Sequence, residues 1–181
     1  MNVLIPASEI SKRLDDLAIE IRKAYSGQQP ITVVGILNGC LMFVADLIRR
    51  LEDLPLRVAF ITASSYRGTA TTAGKLEIHD ELLPDLTGRH VLLLDDILDS
   101  GKTLTRIVAH LLDRGVSSVK VGVLLRKIGR QEVPFEPDYI GFTIPDKFVV
   151  GYGLDYDDEL RQLPYVGVLE PGSEPGIPAP K

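Results

Sequence analysis

Hydrophobic positions follow two patterns along this chain, one with helical spacing and one of continuous apolar runs. Every third or fourth residue between Ser8 and Tyr25 is apolar. These residues are Ile10, Leu14, Leu17 and Ile21. The spacing predicts an amphipathic helix over this stretch, with Ser8 as its N-cap.

Continuous apolar runs without alternation predict strands that are buried on both faces. The clearest runs are 31–37 and 88–94, the second ending in an acid pair. Further strands are predicted at 56–63, 119–125, 139–143, 148–150 and 165–169. Helices are predicted from about Leu41 to Leu51 and from about Lys102 to Arg114, where Gly115 caps the second. Strands that alternate with helices indicate an α/β fold, with a mainly parallel twisted sheet flanked by helices.

Two stretches show neither pattern. Residues 64–74 are small and polar, and a loop of this length inside a compact domain is usually functional or disordered. Residues 171–181 are rich in Pro, Gly, Ser and Glu, which predicts a disordered tail. The rest of the 181-residue chain is long enough for one domain with a buried core, which we place at residues 1–170.

Composition narrows the classes of function. Hydrophobic residues make up 45% and charged residues 25%, as in an ordinary cytoplasmic globular protein. No apolar run approaches the roughly 20 residues of a membrane span, and the N-terminus does not resemble a signal peptide. A net charge of −5 without a run of Lys and Arg argues against nucleic-acid binding. The single cysteine, Cys40, excludes an intrachain disulfide and a Cys-based zinc site.

The strongest chemical signal is the segment 91–104, VLLLDDILDSGKTL. Its turn Asp99–Thr103 leads into a helix, so that backbone N–H groups and the helix dipole face an incoming phosphate. Asp95 and Asp96 suit the hydroxyls of a ribose, because carboxylates only accept hydrogen bonds. A P-loop is excluded, since that motif needs a glycine where Asp96 stands. A merely solvated acidic turn fits poorly beside Ser-Gly-Lys-Thr, so the segment predicts a sugar-phosphate site.

This segment resembles the phosphoribosyl pyrophosphate motif of the phosphoribosyltransferases. Other stretches resemble the hypoxanthine-guanine branch of that family, and the similarity runs from about residue 31 to 169. These stretches are Gly35–Gly39, Ser64–Tyr66, Leu125–Lys127 and Pro145–Tyr156. The resemblance implies the type I phosphoribosyltransferase fold with a small hood over the purine site. It also implies a purine-salvage enzyme, which transfers the 5-phosphoribosyl group from phosphoribosyl pyrophosphate to N9 of hypoxanthine or guanine, giving IMP or GMP and pyrophosphate.

The resemblance also implies roles for individual residues at the donor site. Asp99 would face the purine N7 as catalytic general base. Asp95 and Asp96 would hold the ribose hydroxyls, and together with Asp155 they would hold the implied cofactor, Mg²⁺. The other residues that would bind phosphoribosyl pyrophosphate are Leu37, Asn38, Gly39, Ser100, Gly101, Lys102, Thr103 and Arg161. The loop at Leu37–Gly39 often contains a cis peptide in this family, and Asn38 stands where many relatives have Lys.

On the purine side, the resemblance implies three contacts. Lys127 would reach the 6-oxygen, Phe148 would stack on the ring, and the Val149 backbone would read the ring edge. Ser65 and Tyr66 would lie on a loop that closes over the reaction. The implied partners are small-molecule substrates, and the chain is expected to form a homodimer or homotetramer.

Two other functions compete with this interpretation. An RNA-binding transcriptional regulator on the same scaffold is the main alternative, because fold alone does not separate it from an enzyme. The acidic charge, the acid at Asp99 and the stretch around Phe148 favour the enzyme. A kinase that makes the donor would need an ATP site, for which we find no motif.

Overall fold

The computed structural model describes residues 1–28, 30–65 and 76–169. Within these residues the helices are α1 (Ala7–Tyr25), α2 (Leu41–Ile48) and α3 (Lys102–Asp113). The strands are β1 (Asn2–Ile5), β2 (Ile31–Leu37), β3 (Leu56–Ser65), β4 (Leu76–His79), β5 (His90–Leu98), β6 (Ser118–Lys127), β7 (Tyr139–Ile144), β8 (Val149–Val150) and β9 (Val166–Val168).

Six of the described strands form the main sheet, in the order β4-β3-β2-β5-β6-β7. Every neighbouring pair is parallel except β3 and β4. Successive residues of β5 point to opposite faces, so Leu92 and Leu94 pack with α1 and α2 while Val91 and Leu93 pack with α3. The predicted α/β fold with a mainly parallel sheet flanked by helices is confirmed.

A smaller antiparallel sheet of the described chain has the order β1-β9-β8. It ties the N-terminus to the end of the described chain, since Asn2 pairs with Val168 and Val168 pairs with Val149. This smaller sheet is separate from the main sheet, and it corresponds to the predicted hood. The strand β1 was not predicted, because Asn2–Ile5 is too short and too exposed to give a clear pattern.

Most predicted elements are confirmed, with shifted ends. The helix α1 begins at Ala7, so the prediction of Ser8 as N-cap is wrong. Pro6 occupies that position, and its carbonyl accepts from the N–H groups of Glu9 and Ile10. The helix α2 ends at Ile48, three residues before the predicted end.

Four strands, β3, β5, β6 and β7, extend beyond their predicted ends. The strand β5 continues to Leu98, so Asp95 and Asp96 lie within the strand instead of following it. The reason is the ladder with β6, which pairs Asp95 with Val123 and Leu98 with Arg126. Ser64 and Ser65 belong to β3 and not to a loop, because they pair with β4.

Three further observations bear on the other predictions. Gly115 follows α3 with a φ of 76°, as its predicted capping role requires. Residues 66–74 of the predicted loop, and the predicted tail 171–181, lie outside the described residues. Among the described helices, none has the length and apolar character needed to cross a membrane.

Asp80 connects the edge of the main sheet to α3, and this contact predicts a pH-dependent contribution to stability. Its Oδ2 lies 2.6 Å from His110 Nε2 and 2.5 Å from Arg114 Nη1. The hydrogen bond from His110 and the charge of Arg114 hold the pKa of Asp80 below its usual value. The stabilisation is therefore present above the unfolded-state pKa of about 3.9, and it is lost as pH falls through the lower folded-state pKa.

We expect Asp80→Asn to lower the free energy of unfolding by about 1.5–3 kcal/mol at neutral pH, as for a hydrogen bond to a charged group. Urea unfolding of the variant and the original chain, at neutral pH and at about pH 3, measures this difference. The difference should shrink in acid. An equal difference at both pH values would contradict the electrostatic explanation.

Candidate functional site

A cavity of about 300 Å³ opens at the carboxyl ends of β2 and β5. Residues 36–39 and 95–104, apart from Lys102, form most of its lining, and Ala63, Asp155 and Arg161 complete it. Ligands of open α/β sheets bind at this edge of the sheet. The cavity therefore brings together most of the residues that the sequence predicts for donor binding.

The two adjacent acids of β5 dominate the chemistry of this cavity. The Asp95 side chain is buried, and its Oδ1 accepts a hydrogen bond of 3.0 Å from the N–H of Asp96. Burial, followed by the neighbouring charge of Asp96, raises the pKa of Asp95 well above its usual value. Burial also raises the pKa of Asp96. Two such carboxylates favour a partner that donates hydrogen bonds or carries positive charge.

The loop after β2 fits against these acids without space for a side chain. The peptide bond between Leu37 and Asn38 is cis, as the resemblance implies. A Cβ on Gly39 would lie 1.6 Å from Asp96 Oδ2, so only glycine fits there. Gly153 lies on the other side of the loop with a φ of +101°, and a Cβ on it would lie 2.0 Å from the Gly39 carbonyl oxygen. Three distant segments of the chain thus meet at this loop: the Gly153 backbone and the Asp96 side chain both lie against Gly39.

The turn that leads into α3 has the geometry of an anion site. Gly101 is the N-cap residue with a φ of 82° and supplies no side-chain cap, while the Lys102 N–H makes a long hydrogen bond of 3.4 Å to Ser100 Oγ. The N–H groups in the rest of this first turn face the cavity end of α3, where they can donate to an oxyanion. Ser100 and Thr103 also line the cavity. The Lys102 side chain does not, and it forms an ion pair with Glu132 instead.

Four charged side chains form a cluster beside this turn. Asp99 Oδ1 lies 2.9 Å from Arg130 Nε, and Asp99 Oδ2 lies 3.7 Å from Lys127 Nζ. Asp146 Oδ1 lies 3.7 Å from both Lys127 Nζ and Arg130 Nε. The structure thus brings the predicted Asp99 and Lys127 together. Arg130 and Asp146 were not predicted as members of the site. The sequence offered one signal for them, which is that they lie close to Lys127 and Phe148 along the chain.

Asp155 and Arg161 lie together at the cavity lining. Arg161 Nη2 is 2.9 Å from Asp155 Oδ1 and 3.0 Å from Asp158 Oδ1. Arg161 Nη1 donates to the Gly153 carbonyl at 2.8 Å, which holds the guanidinium beside the Gly39 loop. The sequence analysis did not identify Asp158, which lies in an irregular turn with a φ of 63°.

The predicted purine-side residues lie outside the lining of the cavity. Phe148 is 53% exposed, so it is not a core residue, and its ring makes a T-shaped contact with Tyr156 at a centroid distance of 5.9 Å. Val149 is buried in β8. Ser65 is the last residue of β3, and Tyr66 lies outside the described residues. An exposed aromatic ring thus lies directly before the strand that carries Val149.

The donor set fits a cation that is shared with a substrate. Among the described residues, no group of three or more His, Cys, Asp or Glu side chains could hold a metal ion alone. Mg²⁺ commonly binds through one or two carboxylates together with phosphate oxygens and water. Asp95, Asp96 and Asp155 line one cavity, so they can supply the carboxylates while a phosphorylated ligand supplies the rest.

The class of protein follows from the fold and this site. The family model described as the phosphoribosyl transferase domain matches residues 6–157, which is most of the chain. The chain belongs to the phosphoribosyltransferase family, and it is an enzyme of that family.

Individual relatives narrow the likeness to one branch. The chain is 41% identical to the hypoxanthine-guanine phosphoribosyltransferase of Streptococcus pneumoniae, over 93% of this chain and 92% of the relative. It is also 41% identical to that of Aquifex aeolicus, over 94% and 95%. The structure resembles a Staphylococcus aureus hypoxanthine phosphoribosyltransferase with a TM-score of 0.87 and 40% identity, over 94% and 92% of the two chains. A Trypanosoma cruzi hypoxanthine phosphoribosyltransferase in complex with the product IMP gives a TM-score of 0.88 at 36% identity, over 96% of each chain.

The close contact at Gly39 predicts that a single methyl group disrupts the donor site. Gly39→Ala would force the loop or the Asp96 carboxylate to move, and such overpacking typically costs about 1–3 kcal/mol. We expect the affinity for phosphoribosyl pyrophosphate, the donor of this family, to fall by about tenfold to a hundredfold. Calorimetric titration measures the affinity, and thermal unfolding checks that the variant is folded.

Gly27→Ala provides the control for this prediction. Gly27 has a φ of +76° and a Cβ on it would meet nothing within 4 Å, so the substitution strains the backbone far from the cavity. It should lower stability and leave donor affinity unchanged. Equal donor affinity of the Gly39→Ala variant and the original chain would show that the loop is not part of the donor site.

Proposed function

We propose that the chain transfers the 5-phosphoribosyl group from phosphoribosyl pyrophosphate to N9 of hypoxanthine or guanine, with Mg²⁺, to give IMP or GMP and pyrophosphate. The observation that carries the proposal is one cavity that combines a buried acid pair with a turn at the N-terminus of α3. Relatives that align over nearly their whole length bear the corresponding names. Purine salvage in the cytoplasm would be the setting of this reaction.

Donor binding would use both the hydrogen-bond donors and the carboxylates of the cavity. The backbone N–H groups of the Asp99–Thr103 turn and the hydroxyls of Ser100 and Thr103 would bind the 5′-phosphate. Asp95 and Asp96, as carboxylates, would accept hydrogen bonds from the two ribose hydroxyls. The backbone of residues 37–39 and the guanidinium of Arg161 would bind pyrophosphate.

The chain's acids also suit the charge that develops in the reaction. Positive charge should build on the ribose ring as pyrophosphate leaves, and the acid pair lies beneath that ring in the proposed pose. Mg²⁺, held by Asp155 and the acid pair together with the donor, would act as Lewis acid and template for the leaving group. Arg161, placed beside the Gly39 loop by its bond to the Gly153 carbonyl, would neutralise pyrophosphate further.

The purine would lie between the charged cluster and Phe148. Asp99 would accept the proton at N7 while N9 attacks C1′. Lys127 would donate to the 6-oxygen; its side chain is 12% exposed, so the contact would be well shielded from water. The exposed face of Phe148 would stack on the ring, and the Val149 backbone would read its edge. Ser65 ends β3, and closure over the reaction of the segment that begins at Tyr66 would exclude water.

The RNA-binding alternative predicts a different ligand for the same scaffold. The net charge of −5 opposes binding to a phosphate backbone, and the relatives reported above are named as enzymes. A homodimer or homotetramer remains part of the proposal. One T. cruzi relative, with a TM-score of 0.88, has been studied for the role of its C-terminal region in oligomeric state and activity.

The role of Asp99 predicts a specific defect. Asp99→Asn keeps the shape of the side chain but removes the basic oxygen, and a positioned base is typically worth about 10² to 10⁴ in rate. We expect kcat with hypoxanthine to fall by at least the smaller factor, while donor affinity changes little. Near-normal turnover of the variant would remove Asp99 from the mechanism.

The role of Lys127 predicts the choice of substrate. An ammonium only donates hydrogen bonds, so it suits the 6-oxygen of hypoxanthine and opposes the 6-amino group of adenine. Sites built on such a bond reject the wrong analogue by about 10⁴ to 10⁵. We expect adenine to be a very poor substrate. Lys127→Ala or Lys127→Gln should lower kcat/KM for hypoxanthine, so that the difference in kcat/KM between hypoxanthine and adenine becomes smaller.

The measurement is kcat/KM for hypoxanthine, guanine, xanthine and adenine in the original chain and in both Lys127 variants. If adenine is used as well as hypoxanthine, the substrate assignment fails. If mutation leaves the adenine-to-hypoxanthine ratio unchanged, the role of Lys127 fails while the reaction stands.

A further inference from the structure

Arg130 holds the proposed general base in a defined orientation. Its Nε lies 2.9 Å from Asp99 Oδ1, and the hydrogen bond raises the pKa of the guanidinium, which stays charged. Lys127 Nζ lies 3.7 Å from Asp99 Oδ2, too far for a hydrogen bond. The two oxygens of Asp99 are therefore not equivalent, since one is bound by arginine and the other is not.

The loop between β6 and β7 fixes where this arginine can lie. The N–H groups of Glu132 and Val133 donate to the Ser100 carbonyl at 2.9 and 3.3 Å. Val133 also lies against Gly101, where a Cβ would be 3.1 Å from its side chain. The loop thus packs on the phosphate turn within a few residues of Arg130. Its backbone position relative to Asp99 is set by these contacts, although the guanidinium itself is half exposed.

In the same arrangement, Lys127 forms no hydrogen bond with either acid of the cluster. Its ammonium is 3.7 Å from Asp99 and also 3.7 Å from Asp146, close enough for charge attraction but beyond hydrogen-bond distance. Arg130 is the stronger competitor for Asp99, because it already makes a short charge-assisted bond. Without Arg130, Lys127 could form a hydrogen bond with Asp99. Neither the base nor the donor to the 6-oxygen would then be available to the purine.

We propose that Arg130 is a positioning residue for purine binding and proton transfer. It anchors Asp99 Oδ1, directs Oδ2 to the purine, and keeps Lys127 available for the 6-oxygen. This inference rests on the proposed function, because it assigns a role relative to Asp99 and Lys127. Arg130 acts through these two side chains and not on the donor.

The test compares Arg130→Gln with Arg126→Gln in steady-state kinetics with hypoxanthine. Arg126 is the matched control: it lies in β6 next to Lys127 and bonds a carboxylate at the same distance of 2.9 Å, but that carboxylate is Glu136, which is outside the charged cluster. We expect Arg130→Gln to lower kcat/KM for hypoxanthine by about tenfold or more, and to change KM for phosphoribosyl pyrophosphate by less than about twofold. Arg126→Gln should change both constants by less than about twofold.

A double-mutant cycle shows whether Arg130 acts through Asp99. In the Asp99→Asn background, adding Arg130→Gln should have little further effect on kcat/KM for hypoxanthine, because the group that it orients is no longer a base. An equal loss in both backgrounds would overturn the proposal, as would an Arg130→Gln variant that matches Arg126→Gln. A rise in donor KM as large as that for hypoxanthine would also overturn it, since it would indicate a loosened phosphate turn. If the original chain transfers phosphoribose to none of the four bases, the proposed function fails, and this inference fails with it.

Discussion

Two neighbouring carboxylates at the carboxyl end of the central strand β5 constrain the site more than any other feature. Burial makes their charged forms unfavourable, so the surrounding chain must supply hydrogen bonds or leave room for a ligand that does. The ladder with β6 pairs Asp95 with Val123 and Ile97 with Leu125, so both acids lie in extended backbone, and both line the same cavity. A polar ligand that is bound together with a cation would stabilise such a pair of carboxylates.

The rest of the cavity is built around this pair by close backbone contact. Gly39 has no side chain because Asp96 occupies the space, and Gly153 has none because the Gly39 carbonyl does. The second contact places the segment that carries Asp155 and Arg161 against the first loop. The β6–β7 loop contacts the turn before α3 through hydrogen bonds to the Ser100 carbonyl. Donor site and charged cluster are therefore linked by direct contacts between these segments.

Much of this could be predicted from the sequence, and the failures have physical causes. Continuous apolar runs such as 31–37 gave the buried strands, and the order of elements gave the parallel sheet. The end of β5 was missed because acids normally end a strand, whereas here the ladder with β6 overrides that preference. Arg130 and Asp146 were missed because their importance comes from distances to Asp99 and Lys127, which no local pattern encodes. The exposure of the Phe148 ring depends on the packing around β8, so only the fold shows it.

The central claim is that the acid pair and the turn before α3 together bind a phosphorylated ribose. A crystal structure of the chain with phosphoribosyl pyrophosphate, Mg²⁺ and a non-reactive purine analogue tests this most directly. The account predicts the 5′-phosphate on the backbone N–H groups of residues 99–103, with ribose hydroxyls within hydrogen-bond distance of Asp95 and Asp96. A donor bound with its ribose away from both acids, or with its 5′-phosphate elsewhere than this turn, would contradict the account.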